Sequence, residues 1–422
     1  MNQKLNKPRL FSAASIALVV TAMTFAIRAN LLGPLGEEFG LTPTEIGEVA
    51  SAAFWGFTLA MLIGGALCDI VGMRMMFIIA FLGHVLGILL TIYSGDYWTL
   101  FISTLLVGVG NGFVESASYA MVSSMYTQNK AKRINDWHIW FPVGIVIGGL
   151  VAYILTSFSI NWKIQMATML LPTVWYGALF IKQSFPKSER ITMGVSNSEM
   201  IKECFKPLFI FMVFCMFLTG ATELGTNQWI AELLSTVGVP AILLLVFING
   251  IMALGRYNAG AILKNISTTG LLFLSAILAF VGLLLLGYAH GYMAFAAAGV
   301  FAVGICFFWP TMIAFVSENL PKSGPLGLSI MGAVGLLSTA LIIPYYGQIY
   351  EGELLNAIPA KHDLETLKNA VEGSNDGLLW AQSKFIAGSS TLLRASVMPA
   401  ILIIAFGYLH FSKKKKNIRR KI

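Results

Sequence analysis

Glu115 is the residue from which chemistry is most readily built. It lies in GVGNGFVESASYA, Gly108 to Ala120, inside a long apolar segment with no cation beside it in sequence. A charged side chain at such depth costs about 2.5 to 3.5 kcal/mol unless it is paired, hydrated or protonated, so an ionisable residue there marks a functional site. Asn111, Glu115, Ser118 and Tyr119 follow the i, i+4, i+7, i+8 spacing of one helical face, which predicts a polar, cavity-lining face. Gly108 and Gly112 would let a second helix approach it closely.

Two further clusters could act on a solute. In TGATELGTNQWI, Glu223 and Asn227 are i, i+4 and Gln228 lies beside them, so amide donors and acceptors stand next to an acid and the Trp229 indole. Amides that bind hydroxyl pairs, with a ring that covers an apolar face, suit a sugar; Glu223 is also an alternative site for a coupling proton. In TFAIRANLLG, Arg28 is an intramembrane cation followed by Asn30. Its guanidinium fork matches a carboxylate or phosphate and stays charged, so contact with an anionic solute is one reading. The other is structural: Arg28 snorkels to an interface, or neutralises Glu115 or Glu223 as a fixed counter-ion. Trp309 and Tyr346 stand beside Pro310 and Pro344, where broken helices free backbone groups for binding and movement. His84 reads as structural, and His138 has no second ligand at metal spacing, so neither metal nor organic cofactor is expected. Cys68, Cys204, Cys215 and Cys306 likewise show no metal spacing and read as packing residues.

The elements that must carry these residues are membrane spans. With 57% hydrophobic and 11% charged residues among 422, and a net charge of +8, the chain is too apolar for a soluble globule. Its basic excess clusters at span ends, which points to membrane orientation and not to nucleic acid. Apolar runs of about 20 residues fall near 10–32, 46–67, 75–93, 97–126, 137–158 and 163–182, then near 206–230, 237–256, 268–289, 291–316, 325–349 and 388–411. The first run is read as a retained span, not a cleaved signal. The expectation is an all-α membrane protein of 12 transmembrane helices in two six-helix bundles: residues 1–185, a cytoplasmic linker 186–205, and 206–422 with an acidic external loop over 351–387 and a basic cytoplasmic tail. In that loop Leu364, Leu367 and Val371 are spaced for a short amphipathic helix. Placing both termini in the cytoplasm leaves only Arg28, Lys163, Lys361, Lys368, Lys384 and Arg394 of the 28 basic residues in the membrane or outside. That asymmetry orients the chain, and a bacterial inner membrane is the expected location.

Gly65, Asp69, Gly72 and Arg74 stand in GALCDIVGMR and match G-x-x-x-D-x-x-G-x-[RK], the loop that the major facilitator superfamily places between its second and third helices. With six plus six spans, the chain resembles that superfamily, and the resemblance implies a gating role for this loop. Gly255 and Arg256, in GRYNAGAILK, are a degenerate second copy on the same side. A closer resemblance, to the fucose, galactose and hexose proton symporters, rests on the Glu115 segment, on Asn135, His138, Phe141 and Gly144 in RINDWHIWFPVGIVIGG, and on Trp309-Pro310-Thr311. It implies a proton-coupling or sugar-binding role for Glu115 and substrate contact by His138. The departure is Arg28, which is more like the organic-anion branches.

The expected function is therefore secondary active transport: proton-coupled uptake of a small sugar or sugar derivative by alternating access. The alternative is an organic anion met by Arg28. An exporter ranks lower because the fifth span reads FPVGIVIGG, without the G-P order of the antiporter motif, and a sensor ranks lower for want of an output domain. No G-x-x-x-x-G-K-[ST] loop is present to use ATP. Substrate contacts are expected from Arg28, Asn30, Asn111, Tyr119, His138, Asn227, Gln228, Trp309 and Tyr346, and the expected partners are a small solute and the lipid bilayer, with the chain acting as a monomer.

Overall fold

The computed structural model describes residues 5–126, 130–186, 197–258, 266–360, 362–371 and 373–419, and among them it is helical with no strands. The first six spans are Lys7–Phe39, Pro43–Gly64, Ile70–Ile92, Tyr97–Met125, Asp136–Ser157 and a sixth split into Trp162–Ala167 and Leu170–Phe180. The second six are Pro207–Leu233, the shorter Ala241–Tyr257, Thr268–Tyr288, Met293–Asn319, Leu326–Ala357 and Asn375–Ser412. The sixth span is interrupted at Thr168 and Met169 because Pro172 has no amide hydrogen to give the Thr168 carbonyl. Large apolar side chains such as Leu86, Leu90, Ile147, Leu274 and Phe411 point outward, as a lipid-facing surface requires.

Sequence sets the ends of these helices. Asn6 caps the first span through the Arg9 amide, and Thr42 and Asp96 each form a reciprocal capping box. Gly40, at φ +62°, closes the first span in the left-handed conformation, so only three residues separate it from the second. The motif loop turns at Gly72, whose φ of +79° interrupts an otherwise continuous Pro43–Ile92 helix. Arg74 Nη2 donates to the Gln183 carbonyl at 2.8 Å and so ties this turn to the end of the sixth span. The surroundings of Gly65 and Asp69, and the Asn135 side chain, lie outside the described residues.

Small residues set the spacing between helices. A Cβ on Gly108 would collide with the Ala53 backbone, and one on Gly112 would lie 2.6 Å from the Phe57 carbonyl oxygen, so the fourth span is seated directly on the second. In the C-terminal bundle, Gly282 and Gly304 bring the ninth and tenth spans together in the same manner. The two bundles meet most closely at the face opposite the termini. There the Thr44 amide and hydroxyl both donate to the Glu351 carboxylate, and a Cβ on Gly347 would strike the Pro43 carbonyl. At the basic face, Lys7 and Arg9 donate to carbonyls of Met125 and Leu179 in their own bundle.

The acidic loop is shorter than expected. The eleventh span stays helical to Ala357 and the twelfth begins at Asn375, with a short helix Leu364–Lys368 between them. The twelfth reaches the bundle near Gly388, which is packed on the Leu233 backbone, so residues 375–387 form a helical extension. Leu367 is buried, but Val371 lies beyond the short helix and is exposed.

Candidate functional site

Asn111 fixes the register of the first and fourth spans. Its Nδ2 donates to Thr24 Oγ1 at 3.0 Å, while its Oδ1 faces His84 Nε2 at 2.9 Å, and His84 Nδ1 meets Tyr176 Oη at 3.0 Å. Asn111 is wholly buried in this chain of polar groups, so it knits four helices of one bundle and does not line the cavity its spacing suggested. Asn30 is also committed within that bundle, donating to Thr156 Oγ1 and Gln165 Oε1, both at 3.2 Å. His84 is structural, as expected.

From the Thr24–Asn111 bond, Arg28 lies one turn toward the opposite face and Glu115 one turn toward the basic face. Eight residues at 1.5 Å rise separate them by about 12 Å along the bundle axis. Arg28 is thus not the counter-ion of Glu115, nor of Glu223, which is paired elsewhere. Its Nε donates to Gln228 Oε1 at 3.0 Å, and its guanidinium carbon lies 5.4 Å from the Phe25 ring centre and 5.5 Å from that of Phe54. Gln228 Nε2 completes the link between bundles by donating to the Phe25 carbonyl at 3.1 Å. Arg28 is buried, and its Nη2 has no hydrogen-bond partner in the protein. A small cavity of about 30 Å³, with room for a water or two, lies beside it and is lined also by Thr24, Thr91 and Thr104.

Glu115 has a different partner. Its Oε1 lies 3.1 Å from His138 Nε2, and Tyr119 Oη lies 2.6 Å from the same nitrogen. The His138 side chain is 24% exposed and that of Glu115 only 7%, so the imidazole stands between the carboxylate and the solvent. One nitrogen with two oxygen partners can act as a proton switch. Protonated, Nε2 donates to Glu115; unprotonated, it accepts from the Tyr119 hydroxyl or from a protonated Glu115. Trp137, beside it, is anchored by its Nε1 donating to the Ala14 carbonyl at 3.1 Å. The second carboxylate oxygen of Glu115 has no protein partner.

Glu223 lies in a π-turn, Ala221–Gly225, that interrupts the seventh span. Its Oε1 accepts from Arg256 Nη2 at 3.1 Å, and Arg256 Nε also donates to the Cys306 carbonyl at 3.1 Å. Arg256 is therefore not a surface residue of a basic turn; it reaches from the end of the eighth span into the bundle. Sequence reading missed this role, although a buried acid without a counter-charge in its own span was the signal for one. Glu115 and Glu223 thus each have a nitrogen partner in their own bundle, His138 and Arg256 respectively. Asn227 is buried with its Oδ1 unpartnered, Trp309 is half-buried against Gly335, and Tyr346 is buried against Gly225. Arg394 pairs with Glu353 of the eleventh span.

Long apolar helices packed as two bundles, with buried polar groups such as Arg28 and Gln228 joined across the seam, define an integral multi-pass membrane protein. The chain belongs to the Major Facilitator Superfamily, whose model matches residues 14–343. Its family and the transporters it resembles point to solute transport rather than catalysis.

Among curated relatives, the gentisate transporter of Corynebacterium glutamicum is 22% identical over 254 residues, covering 56% of this chain and 54% of that protein. The D-galactonate transporter of Escherichia coli O6:H1 is 25% identical over 197 residues, covering 46% of this chain and 45% of the other. The chain thus spans about half the length of these two curated relatives. Among solved structures, a bacterial homologue of the human lysosomal transporter Spinster, inward-facing and unoccupied, superposes with a TM-score of 0.75 at 16% identity over 94% of this chain and 95% of that one. A D-xylose-proton symporter gives a TM-score of 0.69 at 16% identity, covering 92% of this chain and 96% of the other. These structural likenesses bear on fold alone.

Proposed function

We propose that the chain is a proton-coupled secondary transporter of small organic anions, sugar acids foremost, working by alternating access. The observation that carries this reading is Arg28: a buried cation at the seam of the bundles whose hydrogen-bonded side-chain partner among the described residues, Gln228, is neutral, and whose Nη2 is unpartnered among them. A buried guanidinium without a carboxylate calls for an anion, and the planar fork fits a carboxylate. Two matched relatives carry acids in their names, gentisate and D-galactonate, which agrees with that choice.

In this reading His138 takes the proton from the open side and passes it to Glu115, while the solute carboxylate docks at Arg28. In this reading the termini and the basic face are cytoplasmic, and the face where Thr44 donates to Glu351 is the outer one. The chain sits in a bacterial plasma membrane and needs no cofactor beyond the coupling proton.

A second reading, a neutral sugar, draws on the unpartnered Asn227 Oδ1 and the half-buried Trp309, both in the C-terminal bundle. A thermal-shift screen separates the two. Glucuronate, galactonate and gluconate should raise the melting temperature of the wild type and lose that effect on Arg28→Gln. If glucose and galactose stabilise both proteins equally and the acids do nothing, Arg28 is structural and the neutral-sugar reading stands.

A further inference from the structure

We infer that Arg256 is the positioning residue that couples the charge at Glu223 to the bend in the tenth span, and that Glu223 is its fixed counter-ion and not a proton carrier. The break in the tenth span starts at Pro310. Proline has no backbone N–H, so the carbonyl four residues earlier, that of Cys306, loses its donor within the helix. The tenth span is broken there: one helix ends at Ile305 and the next begins at Phe308. The missing donor comes from another span, because Arg256 Nε lies 3.1 Å from the Cys306 carbonyl oxygen.

The same guanidinium places Nη2 3.1 Å from Glu223 Oε1, inside the π-turn of the seventh span. One planar side chain therefore joins two helical irregularities, and such irregularities are where helices bend. Two donors at a fixed separation are a guanidinium property; a lysine ammonium is a single point. The end of the eighth span is packed on the break itself, since a Cβ on Gly255 would lie 2.6 Å from Cys306 Sγ.

The bend matters because Trp309 lies next to it. Its indole presses on Gly335 of the eleventh span, and it borders Gly332, which Met61 of the N-terminal bundle also borders. Holding the break holds an aromatic wedge at the boundary between bundles. With the fixed Glu223 carboxylate in place Arg256 is held on the Cys306 carbonyl, and when Arg256 leaves that carbonyl the tenth span is free to change its bend.

The inference rests on the transport reading for its purpose, but its test does not require the solute to be known. Hydrogen exchange of the purified full chain in nanodiscs reports on the amides of the tenth span. Arg256→Lys keeps the charge and is expected to speed exchange near Cys306 to Thr311 tenfold or more. Adding Pro310→Ala gives the Cys306 carbonyl a helical N–H and is expected to restore most of the protection. Unchanged exchange in Arg256→Lys overturns the inference, as does failure of Pro310→Ala to restore protection while it is itself folded and protected.

A second readout is exchange of glucuronate between proteoliposomes and medium without a proton gradient. Arg256→Lys should lower kcat tenfold with KM within twofold, and Pro310→Ala should recover at least a third of it. A loss confined to KM would assign Arg256 to the solute and contradict the positioning role. A wild type that carries no glucuronate counts against the substrate reading, and the amide exchange then decides this inference alone.

Discussion

Arg28 stays charged without a carboxylate because its surroundings share the load. Two ring faces lie within 5.5 Å of the guanidinium carbon and a glutamine oxygen takes its Nε, so part of the lost hydration is replaced by aromatic quadrupoles and an amide dipole. Glu115 is supported differently, by an imidazole that can itself gain or lose a proton. In the proposed function, anion recognition and proton exchange are thus split between two sites about 12 Å apart along the axis. Glu115→Gln should remove proton-driven accumulation while leaving solute exchange at a third or more of its wild-type rate, measured by counterflow in proteoliposomes. Undiminished uphill uptake by that variant would show that the proton binds elsewhere. Much of this was legible in sequence, since Arg28, Glu115, Glu223 and His138 all stand out as ionisable groups in or beside apolar runs. Their pairing was not, because helical periodicity places residues on a face but does not say how two helices are shifted past one another. The single Thr24–Asn111 hydrogen bond, which sets that shift, joins residues 87 apart in sequence.

Helix boundaries were the most readable feature, since hydropathy, caps and prolines act locally. The exception is the segment over 351–387, where polar composition suggested a loop and the chain instead extends two helices beyond the bundle. Ser374 capping the Gly377 amide and packing of Gly388 on Leu233 favour that extension. Helix spacing was partly readable as well: the glycines of the fourth span were expected to admit a neighbour, and the second span is the neighbour. Gly108→Val would force a branched side chain into the Ala53 backbone. Overpacking of this kind costs about 1 to 3 kcal/mol. The expected result is a lower melting temperature in detergent, with Leu106→Val, on the same helix but away from that contact, close to wild type. Equal melting temperatures for Gly108→Val and wild type would mean that the second and fourth spans are not in the contact described.

At the scale of the whole molecule, the two bundles are joined at one face by backbone-close contacts and by a carboxylate that caps the second span, Glu351 on Thr44. Deeper in, the Arg28 guanidinium is joined across the same boundary to the neutral Gln228, which in the proposed reading leaves its charge for a solute anion to balance. Alternating access needs such an arrangement: a seam that holds while the site is empty and charges whose balance changes when it fills. The superfamily was recognisable from twelve runs and one loop motif, whereas solute class depends on which buried groups lack partners, and only the folded chain reveals that. The proposed function has Arg28 receive an acid whose entry is driven by protons. It is tested most directly by uptake of radiolabelled glucuronate, gluconate and galactonate into proteoliposomes with an acidic exterior, alongside glucose and galactose. The account predicts uphill accumulation of at least one acid, abolished by collapsing the proton gradient and reduced tenfold or more in Arg28→Gln. Accumulation of a neutral hexose with no acid transported, and with Arg28→Gln as active as wild type, would contradict it.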